Sequence, residues 1–218
     1  MSTALKVVAW VLGSVVLLVL LGVGWLTWTL SGGWDGIRPA AQPDDRRVVE
    51  AREAGSEPLA ALADPVEDAL AEGGAGVGRV EVEGCEEGQN NWKIQDGWTL
   101  SCAQASVLAA TSAASSVQAA ADDVDARLHE LGWRPASYGE METIGTGENA
   151  EGRYEHPDDP AAVLVVDVAA PGQDRPYISL GRFGPSDSPE AQELLDGLAT
   201  SSQVAVVATV ERTYFQDD

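Results

Sequence analysis

The sequence predicts an α+β domain, a mainly antiparallel sheet with about three helices packed on one face, tethered by a single N-terminal transmembrane helix. Three observations carry this. An uncharged apolar run of 24 residues stands near the N-terminus. Beyond it, stretches with apolar residues at helical spacing alternate with short β-branched or aromatic stretches, in the order helix, strands, helix, strands, helix, strand. The strand-like stretches come in hairpin-like pairs instead of regular strand–helix–strand units, which favours helices laid on an antiparallel sheet.

The apolar run is Val7 to Leu30, without charge, Pro, Asn or Gln. As a helix it spans about 36 Å, enough for a hydrocarbon core of about 30 Å with some tilt. A core helix of a soluble domain carries a polar face, and this run has none. Trp10 near one end and Trp25, Trp28 and Trp34 at the other suit headgroup level. The run exceeds the apolar region of a signal peptide, and Leu30-Ser31-Gly32-Gly33 lacks the cysteine of a lipobox. The implied order is a cytoplasmic tail (1–6), a transmembrane helix (7–30), a linker (31–55) and an acidic domain (56–218). The orientation signals conflict. Arg38, Arg46 and Arg47 lie beyond the run against only Lys6 and the α-amino group before it. Long domains translocate largely regardless of charge, and paired cysteines favour an oxidising compartment, so the domain is expected outside the cytoplasm.

A first helix is expected from Ser56, with Leu59, Leu62, Val66 and Leu70 on one stripe, interrupted at Pro65 and restarted by Asp64 to Glu67. Gly73-Gly74 ends it, and Val80 to Glu83 alternates as a strand. Trp92 to Leu100 reads as a hairpin with a three-residue bulged turn, Gly97 left-handed, pairing Ile94 with Trp98, Trp92 with Leu100 and Asn90 with Cys102. Trp92, Trp98 and Trp133 are expected in the core. A second helix spans Ser116 to Leu131, with Gly132 and Trp133 forming a Schellman stop. Residues 138–160 read as polar, weakly stranded and mobile. Strands follow at Val163–Ala169 and Tyr177–Phe183, separated by Pro171-Gly172. A third helix is capped by Ser188, and Val204 to Phe215 closes the fold.

Residues 35–218 hold all 35 acidic side chains and every basic one except Lys6, a formal charge of −23. Such a surface repels phosphates, so nucleic acid is excluded and basic protein partners or divalent cations are the permitted company. Cys85 and Cys102, the only thiols, are expected to form a structural disulfide. Asp125 and His129 stand one helical turn apart, a weak metal-ligand pair with Asp122 and Asp123 nearby; the commoner reading is a solvated helix face. His156 to Pro160 lacks the spacing of a calcium loop and reads as a turn. No nucleophile elbow or phosphate-binding glycine loop is present, and no cofactor is implied.

The anchor at Val7–Leu30, the Cys85/Cys102 pair around Trp92 and Trp98, and the helix ending Leu131-Gly132-Trp133 together resemble the single-pass or lipid-anchored extracytoplasmic envelope proteins of high-GC Gram-positive bacteria. That resemblance implies a location at the cell membrane and no chemistry. The expected function is a non-enzymatic, membrane-anchored binding or interaction module. The rivals are a metal-dependent envelope hydrolase built on Asp125 and His129, and an accessory subunit of a membrane complex using Ala9 and Gly13 as a small-residue helix contact.

Overall fold

A computed structural model describes residues 41–89, 94, 96–136, 141–144, 147–172 and 188–217. The apolar run at 7–30, Trp92 and the strand expected at 177–183 lie outside the described residues. Among the described residues no helix is long and apolar enough to cross a membrane.

The elements are α1 (Arg46–Gly73), β1 (Gly74–Glu87), β2 (Leu100–Ser112), α2 (Val117–Glu130), β3 (Arg134–Pro135), β4 (Glu142–Ile144), β5 (Asn149–His156), β6 (Asp159–Ala169), α3 (Pro189–Ala199) and β7 (Val204–Asp217). Six strands run antiparallel in the order β1-β2-β7-β6-β5-β3, and β4 pairs with β5. The α+β class and the mainly antiparallel sheet with three helices are as expected. The placement of all helices on one face is not. Leu59, Val66 and Leu70 of α1 and Ala120, Val124 and Leu128 of α2 pack with Leu108, Leu164 and Val206 on one face. Ala191, Leu195 and Leu198 of α3 pack with Ala105, Val107 and Val207 on the other. Two-sided cover buries every residue of Val204–Val210, and such a strand reads as a continuous apolar run.

α1 starts at Arg46, so residues 46–55 of the expected linker are helical, and Pro65 does not interrupt it. Pro58 and Pro65 each leave one carbonyl without its helical donor. The buried stripe Val48, Gly55, Leu59, Ala63, Val66 and Leu70 runs through both, and its burial outweighs the lost bonds. The ends of α2 and α3 follow local chemistry as expected. Ser116 Oγ accepts from the Ala119 N–H and Ser188 Oγ from the Ala191 N–H. Beyond α2, the Trp133 N–H donates to the Leu128 carbonyl and the Gly132 N–H to that of His129, with Gly132 at φ +91°, a complete Schellman stop.

The hairpin register differs from expectation. β1 runs on to Glu87 and places Glu87 opposite Leu100 and Cys85 opposite Cys102, where Trp92 and Asn90, both outside the described residues, were expected. The end of the ladder is closed by the Gly88 N–H on the Thr99 carbonyl at 3.0 Å, with Gly97 left-handed at φ +78° as the turn chemistry demands. An unbroken ladder from Gly78 to Glu87 simply satisfies more backbone groups than the short hairpin would. The cysteines are joined, with Cα atoms 4.1 Å apart. Residues 149–156, expected to be weakly stranded and mobile, are a full strand; its core face is Ala150, Gly152 and Tyr154. Trp133 is buried as expected, and Trp98 is half-buried.

Candidate functional site

Two places gather polar side chains. The first lies between α1 and β1. From Gly78 to Glu87 the even residues Val80 and Val82 join the α3 face of the sheet. The odd residues Arg79, Glu81 and Glu83 therefore turn to the α1 face. Arg79 is the hub: Nη1 donates to Asp64 Oδ1 at 2.6 Å and Glu67 Oε2 at 3.2 Å, Nε to Glu81 Oε1 at 2.6 Å, and Nη2 to the Ser106 hydroxyl at 3.2 Å. Burial works against its charge, but the hydrogen bonds to Asp64, Glu81 and Glu67 outweigh it and hold the guanidinium pKa above its ordinary value. On the same face, Arg52 of α1 lies 3.2 Å from Glu83. An open cleft of about 500 Å³ runs here, lined by Ser56, Leu59 and Ala60 of α1, Arg79, Glu81, Val82 and Glu83 of β1, and Gln104 of β2. Gly55 lets α1 approach this closely, since a Cβ there would lie 2.9 Å from the Cβ of Tyr214.

The second place holds the expected metal-ligand pair. Asp125 and His129 do meet, with His129 Nε2 at 3.6 Å from Asp125 Oδ1, both partly exposed. That same Oδ1 accepts a 2.6 Å hydrogen bond from the buried hydroxyl of Tyr154 on β5. Asp122 and Asp123 are drawn off to Gln118 and Arg127. Among the described residues no three His, Cys, Asp or Glu side chains gather to hold a metal. His156 packs edge-on against Trp133 at 5.0 Å, and Asp159 binds Arg212 at 2.7 Å; they end β5 and begin β6, so the turn itself is only Pro157-Asp158. Arg79 and Tyr154 were not singled out in the sequence. An arginine one residue before an alternating Val-Glu-Val-Glu strand was the available signal for the first; the second sits in an alternating stretch whose small residues hid it.

The Tyr154–Asp125 bond ties α2 to β5 and gives a pH signature. Burial first, then the hydrogen bond and charge of Asp125, raise the phenol's pKa above its ordinary 10.0. The folded state keeps a proton that the unfolded chain releases. This stabilisation is complete below pH 10 and declines above it, by up to about 1.4 kcal/mol per pH unit. Tyr154→Phe is expected to cost about 1–2 kcal/mol at neutral pH and to flatten the alkaline decline. Urea titrations on either side of pH 10 check this. An unchanged alkaline slope would show that another group carries it.

No protein-family model matches the chain, and no curated protein matches its sequence.

Proposed function

We propose that this is a non-enzymatic binding module of the cell envelope. Residues 7–30 hold it in the bilayer, residues 1–6 face the cytoplasm, and the acidic domain stands outside. It engages a basic protein partner, or cations, through its carboxylate-rich surface. The observation that carries the reading is the formal charge of −23 on residues 35–218, concentrated in part around the open cleft between α1 and β1, where carboxylates outnumber guanidinium groups. Potentials of this sign raise association rates with cationic partners and fall with ionic strength. The disulfide supports the extracytoplasmic placement, since such bonds persist in oxidising compartments.

Full-length protein purified in mild detergent at low salt is expected to retain a basic partner, and to lose it at about 0.5 M salt. Protease added to intact cells should degrade the domain. A protein that copurifies with nothing, or that turns over an envelope substrate and loses turnover on Asp125→Asn, overturns the binding reading. A domain that resists protease until the membrane is opened overturns the orientation.

A further inference from the structure

Among the described strands, the sheet has an open edge at β1. β1 pairs with β2 alone among the described strands, although it is 14 residues long. Its phase follows from two observations. The Gly88 N–H bonds the Thr99 carbonyl directly opposite, so from Gly78 onward the backbone groups of the even-numbered residues of β1 face β2. The 4.1 Å Cα separation at Cys85–Cys102 is that of a non-hydrogen-bonded pair, close to about 4.5 Å and well short of about 5.5 Å. The N–H and C=O groups of Arg79, Glu81, Glu83, Cys85 and Glu87 therefore point away from β2, into the open edge. A row of outward backbone groups beside a cleft is the arrangement to which an extended chain adds as one more strand.

We propose that the β1 edge is an acceptor for an extended segment of a partner protein with Lys or Arg at every second residue and apolar side chains between them. The proposal rests on the binding-module reading and gives it a site. An added strand continues the two faces of β1. Its residues on the α1 side lie along Glu81, Glu83 and the carboxylates around Arg79, so cations fit there. Its residues on the α3 side lie along Val80 and Val82, which belong to an apolar cluster with Leu194 and Leu195. A second copy of this chain is disfavoured as occupant, because its own β1 would bring the same glutamates against these.

The probe is a fluorescent decapeptide of alternating lysine and valine, offered to the full-length protein in detergent micelles. Saturable, salt-sensitive binding is expected, with amide exchange over residues 78–87 slowed at least about tenfold. Peptides N-methylated at every second residue should split by phase: one phase blocks binding and the other preserves it. Glu83→Pro removes an outward N–H and leaves the β1–β2 ladder intact. It should weaken binding at least about tenfold more than Glu83→Gln, which removes only charge. The N-methylated pair tests the same point if Glu83→Pro does not fold. Binding with unaltered exchange over 78–87, or equal affinity in both methylation phases, overturns the edge site while leaving the acidic-surface reading standing. No binding of the peptide at low salt overturns both.

Discussion

Replacing both half-cystines, Cys85→Ala with Cys102→Ala, is expected to lower the unfolding free energy by about 3 kcal/mol. The two residues are 17 apart in sequence, and a loop of that size, closed in the unfolded chain, accounts for about 3 kcal/mol in the chain-entropy treatment. Against a total stability of about 5–15 kcal/mol the loss is large, equivalent to a fall in Tm of about 6–12 °C. The bridge joins directly opposed residues near the end of the β1–β2 ladder, beside a small cluster of Ala41, Val48 and Leu100. Cys102 is fully buried, so the double alanine variant also loses packing. Urea titration of the wild-type protein with and without reductant separates the two contributions. Reduction alone should account for most of the loss. A reduced protein within about 1 kcal/mol of the oxidised one would show that the ladder holds without the link, and would weaken the case for an oxidising compartment.

What the sequence disclosed was local. Ser116, Gly132 and Trp133 bound α2, and Ser188 with Pro189 starts α3, because caps and stops depend on residues within one turn of each other. Gly97 is left-handed for the same kind of reason. Strand partners were less legible, since register is decided by pairings far apart in sequence. Cys85 faces Cys102 because β1 extends four residues past Glu83, and nothing between Glu83 and Glu87 announces that length. The two-sided sheet did leave a trace. Val204–Val210 and Ala105–Ala110 are unbroken runs of apolar or small residues, the pattern of strands covered on both faces. β5 escaped notice for the opposite reason. Its alternation is regular, but Ala150 and Gly152 give its core face little hydrophobic signal. Asp125 and His129 were legible as neighbours on a helix, whereas the Tyr154 hydroxyl that binds Asp125 comes from 29 residues away. The Arg79 hub draws partners from 12 and 15 residues upstream and 27 downstream, so only the folded chain assembles it.

Gly74→Ala is expected to be among the most damaging single substitutions, while Gly73→Ala, one residue earlier, should be nearly silent. α1 passes into β1 with no loop, Gly73 being its last residue and Gly74 the first of the strand. Gly74 has extended backbone at φ −159°, which an alanine adopts without strain, so its requirement is one of space. A Cβ there would stand 1.7 Å from the carbonyl oxygen of Thr111 and 2.8 Å from its carbonyl carbon. Those are backbone atoms of β2, itself held on its far side by β7. Relief requires β1 to move off β2 at the head of its ladder, or α1 to pull away from its stripe. We expect a loss of about 3–4 kcal/mol, in the range of severe overpacking. At Gly73 the nearest atoms to a new Cβ belong to the side chains of Asp123, at 3.0 Å, and Arg127, at 3.6 Å. Both are partly exposed and free to shift, and alanine raises helix propensity by up to about 1 kcal/mol, so the net change should stay within about 1 kcal/mol. Paired urea titrations with matched m-values give the comparison directly. Equal costs at the two positions would mean that the helix-to-strand junction slides to accept a side chain, and that the close approach at Gly74 does not anchor β1 to β2.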